Sequence, residues 1–360
     1  MTRGSVQERV RRDNLAALLR HVHLQGPATR AALAERLEVN RSTILTLSRE
    51  LARAGLVREE CAASLAPRAG RPSYVVRPNS AVHVLAFDVR PDGFTAARVR
   101  LGGRVLDRRE VAAEIPSPAA TREMARTLRH LAEAASKDGV CAGVGVSIPG
   151  HTSATDGGGA AYDDLLAGLR AAFRSAPRGG RSFAVGHEAT LAVIAEHGHG
   201  VGKGYQNLVY LQGRDGLRGG VMVGGAPIGG EGGHGVDLGH LIVPPVERAC
   251  GLGAGGCLPA GPCGGEEGRA ARAVTAWPAK LLDLFAPEMI VFGDDLGTLY
   301  RSAAGWPEAR QRHENSRSSP PGVRLARSAL GGDAVLVGAA ELAFSALLTD
   351  PIRVISEARK

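Results

Sequence analysis

Apolar positions recur at helical spacing three times within the first 56 residues. In "DNLAALLRHVHLQG" (13–26) they are Leu15, Leu18, Leu19 and Val22, and Gly26-Pro27 ends the run. "TRAALAERLEV" (29–39) opens on Thr29, an N-cap residue, and repeats the pattern through Leu33 and Leu37. "NRSTILTLSRELARAGL" (40–56) opens on Asn40, a second N-cap, and stops at Gly55. Three short helices, the last two joined by a tight turn, predict a helix-turn-helix. At about 100° per residue, Ile44, Leu47, Leu51 and Ala54 form the inward stripe of the third helix. Ser42, Thr46, Arg49 and Arg53 point the other way, with Leu45 at the edge. Strand-like ends at 56–58 and 73–76 then flank a loop rich in Ala, Gly, Pro and Arg, the pattern of a wing.

From residue 81 the period changes. "VHVLAFDV" (82–89) predicts a strand, and "FTAARVRLGGRVLDRREV" (94–111) a hairpin about a Gly-Gly turn. "TREMARTLRHLAEAASK" (121–137) predicts an amphipathic helix, and "CAGVGVSIPG" (141–150) a buried strand ending in a Pro-Gly turn. Alternating strands and helices predict an α/β body with mainly parallel sheets in one or two lobes. A length of 360 residues allows two or three domains. No run of eighteen apolar residues predicts a membrane span. The first residues lack the apolar core of a signal peptide. Five cysteines, an odd number, are not laid out as a disulfide framework, and a reducing cytoplasm is the expected compartment.

Charge sharpens this division. The formal net charge is +8, and residues 1–78 hold fourteen Arg and no Lys against seven acidic residues, a net of +7. Basic charge gathered in one small segment is the footprint of a nucleic-acid-binding module, although a solvated basic face has the same composition. The outward hydroxyls and arginines of the third helix suit a major groove: Arg pairs bidentately with guanine, and hydroxyls reach bases or phosphates. The helix N-terminus at Asn40 and Arg41 favours a phosphate. The candidate DNA-contacting residues are Asn40, Arg41, Ser42, Thr43, Thr46, Arg49 and Arg53, with Arg68 and Arg71 on the wing.

The run "TRAALAERLEVNRSTILTLSRELARAGLVREE…GRPSYVV" resembles the winged helix of the ROK family, which groups transcriptional repressors, uncharacterised frames and sugar kinases. "VLAFDV", "GVGVSIPG", "VGHEATLAVIAEHGHGVGKGYQNLVYLQG", "GGVMVGGAPIGGEGGHGVDLGHLIV", "LLDLFAPEMIVFGDDL" and "ARSALGGDAVLVGAAELAF" are similar to successive blocks of that family's body. The resemblance implies a winged helix-turn-helix domain (1–78) ahead of a two-lobed, actin-like, sugar-kinase-like body. Its small lobe would span 79–186, its large lobe 187–332, and a C-terminal helix (333–360) would pack back on the small lobe.

The resemblance also implies site residues. The family's kinases carry a Gly-rich phosphate turn after the first strand's Asp, but here Asp88 is followed by "VRPDGF", and Pro91 has no N–H to offer. The kinases' Asn-Asp-Ala-Asn motif, which holds the catalytic Asp, stands here as His187, Glu188, Ala189 and Thr190. The carboxylate of Glu188 sits one methylene further out, and phosphoryl transfer depends on positioning. The second Gly-rich block keeps Gly216, Gly219 and Gly220. The sugar-holding Glu-x-Gly-His motif is Asp237-Leu-Gly-His240 here, and Pro259 replaces a further Glu. His187, Glu188, Asp237 and His240 are therefore the expected effector-binding residues; the plainer reading of the last two is a turn carboxylate and a structural histidine.

The family's zinc loop uses one His and three Cys. His240, Cys250 and Cys257 remain as metal-ligand candidates, Leu252 replaces the middle Cys, and a tetrahedral ion is left one ligand short. The loop is either a metal-free relic or a zinc site completed by Cys263. The implied function is a cytoplasmic repressor of the ROK family. It would bind double-stranded operator DNA as a dimer or tetramer, respond to a sugar or sugar-derived effector, and have no use for ATP. An active sugar kinase is the alternative, and an architectural DNA binder whose body senses nothing is a third reading.

Overall fold

The computed structural model describes residues 3–61, 74–149, 158–176, 182–213, 218–229, 281, 284–293, 296 and 323–359. Helix α1 runs over Arg3–Gln25, against an expected start at residue 13. Its first turns expose Val6 and Val10, so no buried stripe marks them, and helix-forming Arg, Gln and Glu with the Glu8–Arg11 pair carry the extension. Helices α2 (Arg30–Arg36) and α3 (Arg41–Arg53) are capped by Thr29 and Asn40, whose side chains accept N–H bonds from Ala32 and Thr43. Helix α2 ends earlier than expected. Glu38 takes a left-handed conformation (φ 54°), and the Val39 N–H returns to the Ala34 carbonyl.

Strands β2 (Val57–Cys61) and β3 (Tyr74–Pro78) form the antiparallel base of the wing. A two-residue strand β1 (Ala28–Thr29), absent from the sequence reading, pairs with β3 and completes a three-stranded sheet of order β1-β3-β2. Leu15, Leu18, Leu19, Val22, Leu33, Ile44, Leu47, Leu51, Leu56 and Val76 are buried in this head. The apolar stripe assigned to α3 is thus inward, apart from a half-buried Ala54.

In the body, β4 (Val82–Arg90), β5 (Gly93–Arg100), β6 (Arg104–Ala112), β7 (Val140–Ile148) and β8 (Ser182–His187) form one sheet of order β6-β5-β4-β7-β8. Helices α4 (Pro118–Asp138) and α5 (Gly158–Arg174) pack against each other, and α4 also packs on β4 and β5. Helix α6 (Glu188–His199) leads to a second sheet of β9 (Leu208–Gln212), β10 (Arg218–Val223), β11 (Ala226–Pro227), β12 (Met289–Phe292) and β13 (Arg324–Arg327), in the order β11-β10-β9-β12-β13. Among the described registers, β4–β5, β5–β6, β9–β10 and β10–β11 are antiparallel, and β9–β12 and β12–β13 are parallel. Short turns at 91–92 and 224–225 join neighbouring strands, which only an antiparallel pair allows.

The tail is two helices, α7 (Ala334–Thr349) and α8 (Pro351–Ala358). By composition Gly331–Thr349 is long and apolar enough to cross a membrane, with a mean hydropathy of 1.5. However, 61% of that stretch is buried in the fold, as befits a core helix. The chain divides into two compact units. One gathers Met1–Val146, Thr152–Val185 and Ala339–Lys360, and the other Ser147–His151 and Gly186–Gly338. The architecture is an α/β chain with an N-terminal winged helix-turn-helix and an actin-like, sugar-kinase-like body.

Candidate functional site

The outward face of α3 is open. Asn40, Arg41, Ser42, Thr46, Arg49 and Arg53 are exposed, and Thr43 is half-buried. The Asn40 Oδ1 accepts from the Thr43 N–H (2.7 Å), the Ser42 hydroxyl (2.7 Å) and the Thr43 hydroxyl (2.8 Å). The Thr46 hydroxyl donates to the Ser42 carbonyl at 3.0 Å. These three hydroxyls spend their protons on the helix, so what they present outward is oxygen lone pairs, fit to accept from base amino groups. Asn40 itself acts first as a cap.

The head's carboxylates are mostly engaged elsewhere. Arg11 holds Glu8 and Glu50, Arg12 lies near Asp13, Arg30 holds Glu59, and Arg77 holds Glu60. Arg41, Arg49 and Arg53 have no ion pair among the described residues. The outward face of α3 thus carries three exposed arginines whose charge no described carboxylate offsets.

The turn after Asp88 is held by more than the proline within it. Arg90 pairs across with Gly93, leaving Pro91-Asp92 as the whole turn. Both turn carbonyls accept bonds from the chain beyond β6, Asp92 from the Ala113 N–H and Pro91 from the Ile115 N–H. The Arg90 guanidinium lies over the turn. It donates to Asp88 (2.9 Å) and Thr95 (3.1 Å), meets Glu110 at 3.3 Å, and lies 3.6 Å from Asp92. One cation among three carboxylates leaves the turn net negative, which repels a phosphate. The sequence reading missed Arg90. Its signal is the i, i+2 spacing from Asp88, which puts both on one face of β4.

In the second unit, Glu188 opens α6 and its carboxylate lies 2.8 Å from the Arg218 Nε at the start of β10. The guanidinium and the carboxylate are both largely buried, so the two charges offset each other away from solvent. Arg218 stands in the second Gly-rich block, and Gly220 of the same block serves packing: a β-carbon there would strike the Ala189 carbonyl of α6. His187, 4% exposed, caps α6 with backbone geometry alone and makes no side-chain cap bond. Two buried hydroxyls in this unit, those of Ser147 and Thr190, have no hydrogen-bond partner among the described residues. Thr190 occupies the last position of the kinases' Asn-Asp-Ala-Asn motif, and Ser147 precedes "IPG" at the end of β7; neither was assigned a role from sequence. Buried hydroxyls left without a partner are costly to a fold.

The other assigned positions lie outside the described residues: Arg68 and Arg71 of the wing, Asp237 and His240 of the effector set, and Cys250 and Cys257 of the metal set, together with Cys263. Of the cysteines that are described, Cys61 is exposed and Cys141 buried, and burial pushes the Cys141 thiol up to about 12, which makes it inert.

The family model described as "ROK family" matches residues 84–264. A ROK family transcriptional regulator, a homologue of the E. coli MLC protein, superposes with a TM-score of 0.65 at 20% identity, covering 98% of this chain and 100% of its own. The ROK hexokinase from Thermus thermophilus aligns at 25% identity and a TM-score of 0.56, over 72% of this chain and 98% of its own. A ROK family glucokinase from Streptomyces griseus, in complex with glucose and AMPPNP, gives 20% and 0.54 over the same shares. No curated protein matches the chain.

Proposed function

The chain belongs to the ROK family, and from that premise we propose that it is a DNA-binding transcriptional regulator, a repressor whose body senses a sugar-class ligand without phosphorylating it. The observation that carries the reading is the exposed face of α3, where Arg41, Arg49 and Arg53 have no ion pair among the described residues and stand beside Ser42 and Thr46. The superposition on a regulator along 98% of the chain supports it, whereas the kinases leave more than a quarter of the chain without a counterpart. Loss of kinase activity is supported by two arginines: Arg90 closes the turn after Asp88, and Arg218 engages Glu188. The buried hydroxyls of Ser147 and Thr190 support a hydroxyl-rich ligand. The protein acts in the cytoplasm as a homodimer on two-fold operator DNA.

The test is binding of the full-length protein to duplexes it enriches from randomised DNA. Arg49→Ala is expected to cost roughly 1–3 kcal/mol on those duplexes and to relax preference at one base pair, as for an arginine on a guanine edge. Equal affinity of wild type and Arg49→Ala for every duplex contradicts the assignment. ATP consumption that depends on added D-glucose, at ordinary enzymatic rates, contradicts the claim that phosphorylation is lost.

A further inference from the structure

Only three residues, Asn79 to Ala81, separate the last strand of the head from β4, the first strand of the body sheet in the same unit. Linkers between domains ordinarily carry few contacts, but this one is tied down at both ends. The Asn79 N–H donates to the Leu56 carbonyl (2.9 Å), and the Asn79 carbonyl accepts from the Val82 N–H (3.2 Å). Its side-chain oxygen accepts from the Ala81 N–H (3.2 Å) and from the Arg58 Nε (3.1 Å), which assigns the amide nitrogen to the other branch. That nitrogen donates to the Gly55 carbonyl at 2.7 Å. Gly55 and Leu56 follow directly on α3 and its cap Ala54, so one linker residue holds two carbonyls at the exit of the DNA-reading helix. The carbonyl before them, that of Ala54, accepts from the Arg359 guanidinium (2.7 Å), a cation at the negative end of the helix.

The body end of the linker is anchored as closely. The Ala81 carbonyl accepts from the Val140 N–H (2.8 Å) at the start of β7, and the Val82 carbonyl from the Leu101 N–H (2.8 Å). Gly139 lies so near that a β-carbon there would strike the Ala81 carbonyl. The Asn79 amide therefore joins two fixed points. Its oxygen is bonded to Ala81, which the body sheet holds, and its nitrogen to Gly55, at the end of α3. A side chain with both an acceptor and a donor is what that place requires.

We propose that Asn79 is a positioning residue that fixes the pose of α3 on the body sheet of its own unit, and thereby selects the spacing of the two half-sites that paired copies read. This rests on the regulator reading. Half-site spacing mirrors the geometry of the pair that reads it, and one inserted base pair turns the second half-site by about 35° about the duplex axis. A head held at Gly55 loses contacts on such a duplex, whereas a head released there can follow the turn.

The test compares full-length wild type, Asn79→Asp and Asn79→Ala on three duplexes: one that the wild type enriches from randomised DNA, the same duplex with one base pair inserted between its half-sites, and a single half-site. The wild type is expected to prefer the enriched duplex over the lengthened one by about tenfold or more, because two-site binding is lost when geometry forbids it. Both variants are expected to reduce that preference to about twofold, with affinity for the single half-site within about twofold of wild type. Asn79→Asp is isosteric, keeps the acceptor for Ala81 and Arg58 and loses the donor to Gly55, so it answers if Asn79→Ala fails to fold. An unchanged spacing preference in Asn79→Asp overturns the proposal, and so does an equal loss on all three duplexes, the mark of a merely structural defect. A wild type that enriches only single half-sites, or is indifferent to the inserted base pair, also overturns it. If the wild type binds no duplex, the regulator reading fails and the grip on α3 is judged by amide exchange. In Asn79→Asp, exchange at 54–56 must then rise by about tenfold while 84–89 stays protected; unchanged exchange at 54–56 refutes the grip.

Discussion

Arg98 and His83 share one face of the first unit's sheet, since Leu85 opposes Arg98 and His83 opposes Arg100 in the register of β4 and β5. Arg98 is buried and held by Asp107 and Asp138. Burial first, and then the Arg98 charge, push the His83 imidazole down to about 4. His83 is therefore neutral in the fold, whereas the unfolded chain takes up a proton below its ordinary value near 6.5. The stabilisation is complete above that value and is lost as pH falls towards 4. Chemical denaturation at pH 7 and pH 5 is expected to show the wild type losing about 2 kcal/mol more than His83→Gln over that interval. Equal losses would mean that His83 takes up its proton without penalty. The alternation of β4 made His83 visible as a strand residue, but the arginine that depresses it comes from the neighbouring strand, and register is not a local property of sequence. Arg90 was overlooked for a related reason, because attention fell on the N–H that Pro91 lacks rather than on the side chain beside it.

At the level of elements, what was legible is what local chemistry fixes. Thr29 and Asn40 cap α2 and α3 as their side chains require, and Gly55 follows α3 in a left-handed conformation (φ 70°). What escaped depends on partners distant in the chain. Strand β1 is two residues long and exists only because β3 pairs with it. The first turns of α1 are exposed and so carry no buried stripe to signal them. Gly220 belongs here as well. The sequence showed it only as one glycine of the second Gly-rich block, and its place in the fold is the contact between β10 and α6. Gly220→Ala is expected to destabilise by about 1–3 kcal/mol, the usual cost of overpacking, read as a lower denaturant midpoint at unchanged slope. An unchanged midpoint would show that α6 has room to move away from β10.

At the level of the whole molecule, charge and chemistry are divided between parts. The head carries nearly all the net charge and exposes Arg41, Arg49 and Arg53 on α3, whereas in the body Arg90 and Arg218 lie against Asp88 and Glu188. The resemblance to ROK regulators was legible from the order of motifs along the chain. The assignments at Asp237, His240, Cys250 and Cys257 fall outside the described residues, so of the expected effector set only His187 and Glu188 are described. The account's central claim is that the head reads DNA sequence through α3, and its most direct measurement is genome-wide DNA occupancy of the full-length protein beside its Arg49→Ala variant. The account predicts a small set of discrete sites sharing a two-fold motif, with occupancy lost in the variant. Uniform occupancy, or an identical set of sites for both proteins, would contradict it.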